Sequence, residues 1–209
     1  MISEVSIDIS EILSQLKDTN TLPDPNLVQF YNNLKDRKIN WNDEVTDDIL
    51  GIADYIIKWN KEDEGIPVEE RKPIKIYINT QGGDGDSTMC LMDVVKISKT
   101  PVWTIGMARC FSAGGLILMG GHKRLIFPNT KFLLHDGYVG TENAVSKFSD
   151  MSKYVEQSED KIREYVIEKT KITEDDYIRN YRRDWYMFAD EMIEYGVADK
   201  VVTDISEVL

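Results

Sequence analysis

Two residue types are scarce in this chain. Among 209 residues there are two cysteines, Cys90 and Cys110, and two histidines, His122 and His135. Two thiols are too few for a disulfide framework, so a reduced, cytoplasmic setting is expected. Positive charge is short as well. Lys and Arg total 25 against 37 Asp and Glu, a formal net charge of −12. Such a surface repels phosphate backbones, which argues against nucleic acid as a partner and otherwise favours solubility. No apolar run approaches the length of a membrane span. The opening MISEVSIDIS also lacks the basic-then-apolar order of a signal sequence, so no membrane partner is expected. Repeats and low-complexity tracts are absent. What remains is an ordinary globular composition, 42% hydrophobic and 30% charged, long enough to bury one α/β core.

The pattern along the chain fits that class. Residues 1–22 are a leader of mixed character: Val5, Ile7 and Ile9 alternate like a strand, while Ile12, Leu13 and Leu16 have helical spacing. Asp24-Pro25 reads as an N-cap with proline at the first helical position. Leu27, Phe30, Tyr31 and Leu34 then form one apolar helical face. Ile39–Trp41 reads as a short strand, and Ile49, Ile52, Ala53, Ile56 and Ile57 mark a second amphipathic helix. Residues 61–73 are a charged surface loop.

Beyond it, β-rich runs alternate with helices: Ile74–Asn79, then helix Ser87–Lys99, then Val102–Met107, then helix Ser112–Met119. Arg124–Phe127 and Lys131–His135 are short strands around a Pro128-Asn129 turn. This alternation predicts a largely parallel sheet joined by right-handed crossovers. A long helix is expected over 142–169, a capped helix start at Thr173-x-x-Asp176, a helix end at Gly196, and a last strand at 200–202.

Four places can carry chemistry. Ser112 stands where a β-rich run gives way to a helix of small residues. A nucleophile gains there from free N–H groups and the positive helix end. Taken alone, a helix cap is the favoured reading. His135 ends an apolar strand, where a catalytic base or a structural histidine both fit. His122 lies in a charged turn and is expected to be solvated. Gly82-Gly83 follows a buried strand and can aim an N–H at an oxyanion or a phosphate, or simply make a tight turn. The acidic GGDGD lacks the ligand pattern of a calcium loop, so no metal is expected. Asp184, after two arginines, reads alone as a surface ion-pair residue.

The order of these places is more specific than any one of them. YINTQGG, then VWTIGMARCFSAGG, then PNTKFLLH, then RRDWYMFADEMIEYGVAD resemble the ClpP family of serine peptidases from about Leu34 to Val202. The resemblance implies a ClpP/crotonase-like α/β fold of repeated β-β-α units with a long protruding handle helix. It implies a head over about 23–138 and 182–209 and a handle over about 139–181. It assigns Ser112, His135 and Asp184 as catalytic triad and the N–H groups of Gly83 and Ala113 as oxyanion hole. It implies an ATP-dependent Clp-type serine endopeptidase acting on unfolded polypeptides, without cofactor. Such a subunit assembles with itself as heptameric rings, stacked as a tetradecamer, and an AAA+ Clp ATPase feeds the chamber. This chain departs from the family pattern at Gln81, which replaces proline, at Cys110-Phe111, which replace two small residues, and at Arg182, which replaces an acidic residue. An inactive subunit of a mixed ring and a crotonase-type acyl-CoA enzyme are the alternatives.

Overall fold

The computed structural model describes residues 24–140, 142, 144–180 and 182–209. The readings of the leader lie outside the described residues. The chain divides into two compact units, 1–36 and 37–209.

In the first unit, helix α1 spans Pro25–Lys35. As the sequence predicts, Asp24 caps it, accepting from the Asn26 N–H at 2.9 Å, with proline following at the first turn.

The second unit is built on a seven-stranded sheet. Strands β1 (Lys38–Trp41), β2 (Ile74–Thr80), β3 (Val102–Phe111), β4 (Lys123–Ile126) and β7 (Lys200–Val201) lie side by side in the order β1-β2-β3-β4-β7, all parallel. Crossover helices α2 (Leu50–Glu62), α3 (Gly85–Ile97) and α4 (Ala113–Gly120) connect the first of these. The parallel arrangement follows from the β-then-helix alternation. Ile74, Ile76 and Ile78 of β2 are fully buried, as are Leu91 and Val95 of α3. Helix α4 packs against β2 and β3, and all eight of its residues are buried. In α2 the expected face is right at Ile52, Ala53 and Ile56, but Ile57 is 57% exposed. It follows Ile56 by one residue, which turns it about 100° off the buried stripe.

Two features of this sheet are not legible as periodicity. Strand β3 runs to Phe111, four residues past the predicted end, because its last three residues leave β4 and pair with β5 (Lys131–Leu134), with Cys110 still level with Thr80 of β2. The register with β2 shifts between Ile78 and Thr80, and residues 107–109 opposite that shift are exposed. Strand β6 (Trp185–Met187) then adds to β5 as the one antiparallel neighbour. Three residues are too short a window to show alternation.

The long helix α5 spans Phe148–Lys169. It starts six residues later than expected, because residues 145–147 form a separate 3-10 turn in front of it. Helix α6 (Glu174–Asn180) opens with the predicted box: Thr173 Oγ1 bonds the Asp176 carboxylate at 2.6 Å and accepts from the Asp176 N–H at 3.1 Å. Helix α7 (Ala189–Glu194) ends before Gly196, whose φ of +67° is that of a helix-terminating glycine. No helix among the described residues is long and apolar enough to cross a membrane.

Candidate active site

Strand β3 ends at Phe111 and α4 begins at Ala113, so Ser112 alone makes the turn. Its φ of 54° and ψ of −122° are a strained conformation for a side-chain-bearing residue, costing about 1–3 kcal/mol. A capping serine sits in the β region and bonds a first-turn N–H. Ser112 makes no side-chain capping bond. The cap reading therefore fails, and the helix leaves the hydroxyl unused.

Sheet register brings the other residues to Ser112. In the parallel β3–β5 pair Phe111 is level with Leu133, and the Ser112 N–H donates to the Leu133 carbonyl at 2.9 Å. His135 follows β5 directly, so the two residues leave the sheet at the same edge. In the antiparallel β5–β6 pair Leu134 faces Trp185. One step further along that register, His135 faces Asp184. Their side chains meet, His135 Nδ1 to Asp184 Oδ1 at 3.6 Å, which is an ion-pair contact rather than a hydrogen bond. The His135 side chain is 32% exposed and Asp184 61%. Local sequence suggested a surface ion-pair residue at Asp184 without naming a partner; the residue it meets is His135.

The glycine loop closes the other side. Gly82 has φ +107°, and a Cβ there would lie 2.7 Å from Ser112 Cβ and 2.8 Å from the Phe111 carbonyl oxygen. No side chain fits between the loop and the serine. Gly83, φ +145°, would place a Cβ 2.1 Å from the Val45 carbonyl oxygen. Val45 pins this loop from both sides: its N–H donates to Gly82 O at 2.8 Å and its carbonyl accepts from Asp84 N–H at 2.7 Å. Thr80 Oγ1 accepts from Gly82 N–H at 3.1 Å. Gln81, in the position of the family's proline, is exposed within a loop already held at both ends. Among the described residues neither the Gly83 nor the Ala113 N–H donates to a protein acceptor. Ala113 follows Ser112 directly, and Gly83 follows Gly82, the glycine that meets Ser112. Sequence reasoning missed Val45, because a backbone bridge of this kind is independent of side-chain type.

The departures next to Ser112 sort by strand alternation. Cys110 points into the core, fully buried, and burial pushes its thiol up to about 12. Phe111 points to the opposite face, where its ring meets Tyr186 edge-on at 5.8 Å. That pair reaches over Leu133, its neighbour on both sides in the register. Arg182 and Arg183 are exposed, and Arg182 helps line a charged pocket between α5 and α6 with Glu159, Asp160 and Arg163.

His122 lies elsewhere. Although exposed, it is bound to the start of β3, with its N–H donating to Val102 O at 2.8 Å and its Nδ1 accepting from Val102 N–H at 3.0 Å. Burial of part of the ring lowers its pKa. This corrects the expectation of a merely solvated residue. The length of β3, roughly 30 Å, separates it from Ser112. Among the described residues no cluster of His, Cys, Asp or Glu has the grouping of a metal site.

Residues 25–204 match the family model described as Clp protease. The chain is similar to the ATP-dependent Clp protease proteolytic subunit 2 of Treponema denticola, 32% identical over 139 residues, covering 66% of this chain and 70% of that one. It is similar to the subunit of the same description from Treponema pallidum, 28% identical over 177 residues, covering 84% and 86%. It is also similar to the proteolytic subunit 3 of Rhizobium meliloti, 32% identical over 137 residues, covering 65% and 70%. With its parallel α/β sheet and a family match over most of its length, the chain belongs to the Clp protease family.

Proposed function

We propose that this chain is a serine endopeptidase subunit that cleaves peptide bonds of unfolded polypeptides. The observation that supports it best is the meeting of three strand ends, with the strained, uncapped Ser112 on β3, His135 after β5, and Asp184 before β6. In this reading Ser112 Oγ attacks the scissile carbonyl and His135 Nε2 takes its proton. Asp184, at Nδ1, holds the tautomer that leaves Nε2 as acceptor and stabilises the imidazolium. The N–H groups of Gly83 and Ala113 bind the oxyanion. His135 then protonates the leaving amine, and water, deprotonated by His135, hydrolyses the acyl-serine.

The relatives are described as ATP-dependent and as subunits. By that analogy the subunit works in stacked heptameric rings around a closed chamber that a Clp-type AAA+ ATPase fills, with residues 139–181 as the handle between rings. The test is a fluorophosphonate probe on the assembled protein, with native mass recorded in parallel. Stoichiometric labelling is expected, lost in Ser112→Ala. Peptide hydrolysis should fall by about 10⁴-fold in Asp184→Asn. An assembled protein that takes no label is an inactive subunit of a mixed ring.

A further inference from the structure

Helix α5 touches both loops that frame Ser112. From its second turn, Tyr154 Oη donates to Asp86 Oδ2 at 2.7 Å. Asp86 lies in the first turn of α3, directly after the glycine loop. From the next turn, Glu159 Oε1 accepts from the Gly137 N–H at 3.3 Å. Gly137 stands two residues beyond His135. Five residues on a helix are about 140° of rotation and ~7.5 Å of rise. Tyr154 and Glu159 therefore leave α5 on different flanks, one toward each loop. The glycine loop is already pinned by Val45 on its far side, and α3 is anchored again where Ser87 Oγ donates to Asp47 Oδ1 at 3.1 Å. The segment after His135 has no such support from regular structure: residues 136–140 belong to no helix or strand. The Glu159 carboxylate is its tie to α5.

We infer that α5 is a splint that sets the spacing between the glycine loop and the His135 loop, with Tyr154 and Glu159 as positioning residues. This rests on the peptidase reading for its effect on rate, though not for its effect on structure. Both bonds are exposed, so each adds little to global stability. Alignment of a nucleophile and its base is far more sensitive, since a displacement of about 1 Å costs on the order of 10²-fold in rate.

The experiment compares Tyr154→Phe, Glu159→Ala and Glu159→Gln with the unaltered protein, at matched native mass. Three readouts are taken: the rate of fluorophosphonate labelling, kcat and KM on a fluorogenic peptide, and hydrogen exchange over residues 136–140. Tyr154→Phe and Glu159→Ala are expected to lower the labelling rate and kcat about tenfold, with KM changed less than about twofold. Glu159→Ala should also speed Gly137 exchange. Glu159→Gln keeps an acceptor oxygen and should restore both rate and protection. Glu159→Ala with unchanged labelling and unchanged exchange overturns the splint, as does a Gln variant that behaves like Ala. If the unaltered protein takes no label, the peptidase reading fails, while Gly137 exchange in the two Glu159 variants still decides whether the tie exists.

Discussion

At the scale of single residues, the neighbourhood of Ser112 separates reactive from inert groups by direction. Cys110 is two residues from the serine, yet it sits in the core with its Sγ against the Ile78 carbonyl at 3.8 Å. A thiol pushed up to about 12 carries almost no thiolate at neutral pH. Cys90, on α3, is exposed. Iodoacetamide should therefore modify one cysteine per native chain and two in denaturant. Peptide mapping that finds Cys110 alkylated in the native protein would contradict its burial. The same alternation handles Phe111. A bulky residue beside a nucleophile suggests obstruction, but on a strand the neighbouring side chain points to the other face, and Phe111 goes to Tyr186.

At the scale of elements, the turn into β1 shows how a helix and a strand are locked together. Arg37, with φ +53°, sends a two-pronged guanidinium to Asp63 at the end of α2, at 2.7 and 2.8 Å. Asp63 also accepts from Thr100 Oγ1 at 2.8 Å. The pair is well covered, with side chains 11% and 5% exposed. The hydrogen bond from Arg37, aided by that from Thr100, holds the Asp63 carboxyl below its ordinary value of 3.8. A carboxylate with a depressed folded pKa stabilises the fold above that ordinary value, and the contribution disappears as pH falls through the lowered one. Asp63→Asn should cost about 3 kcal/mol at neutral pH. Denaturant unfolding at a series of pH values should show the gap from the unaltered protein closing below about pH 4.

Elements with internal periodicity or explicit caps were legible from sequence: α1 from Asp24-Pro25, α2 from its apolar stripe, β2 from its isoleucines, and α6 from Thr173 and Asp176. The site was legible only through the order of its motifs. Local composition favoured a cap for Ser112 and a surface role for Asp184, because what distinguishes them is a strained φ and a strand register. Neither leaves a local trace. Both β6, at three residues, and the Val45 bridge depend on long-range pairing and stayed invisible for the same reason.

At the scale of the whole chain, the last residues are structural members. Val208 is 2% exposed and packs with Ile105, Leu125 and Val202 against Tyr77, Trp103 and Phe127. Its carbonyl accepts from Tyr77 Oη at 2.6 Å, and Lys75 Nζ bonds the Val208 and Leu209 carbonyls. Val208→Ala should cost about 2 kcal/mol, visible as a lowered Tm. A variant as stable as the unaltered protein would mean that this cluster does not hold the chain end.

The lateral place of β6 has a consequence in time. It joins the sheet through β5 alone, and Asp184 arrives immediately before it. A chain emerging from the ribosome N-terminus first has made Ser112 and His135 well before Asp184, the residue that meets the histidine. The partner of that histidine thus comes late in synthesis, when most of the sheet is already available. A half-made chain therefore carries Ser112 and His135 without the carboxylate that meets the histidine.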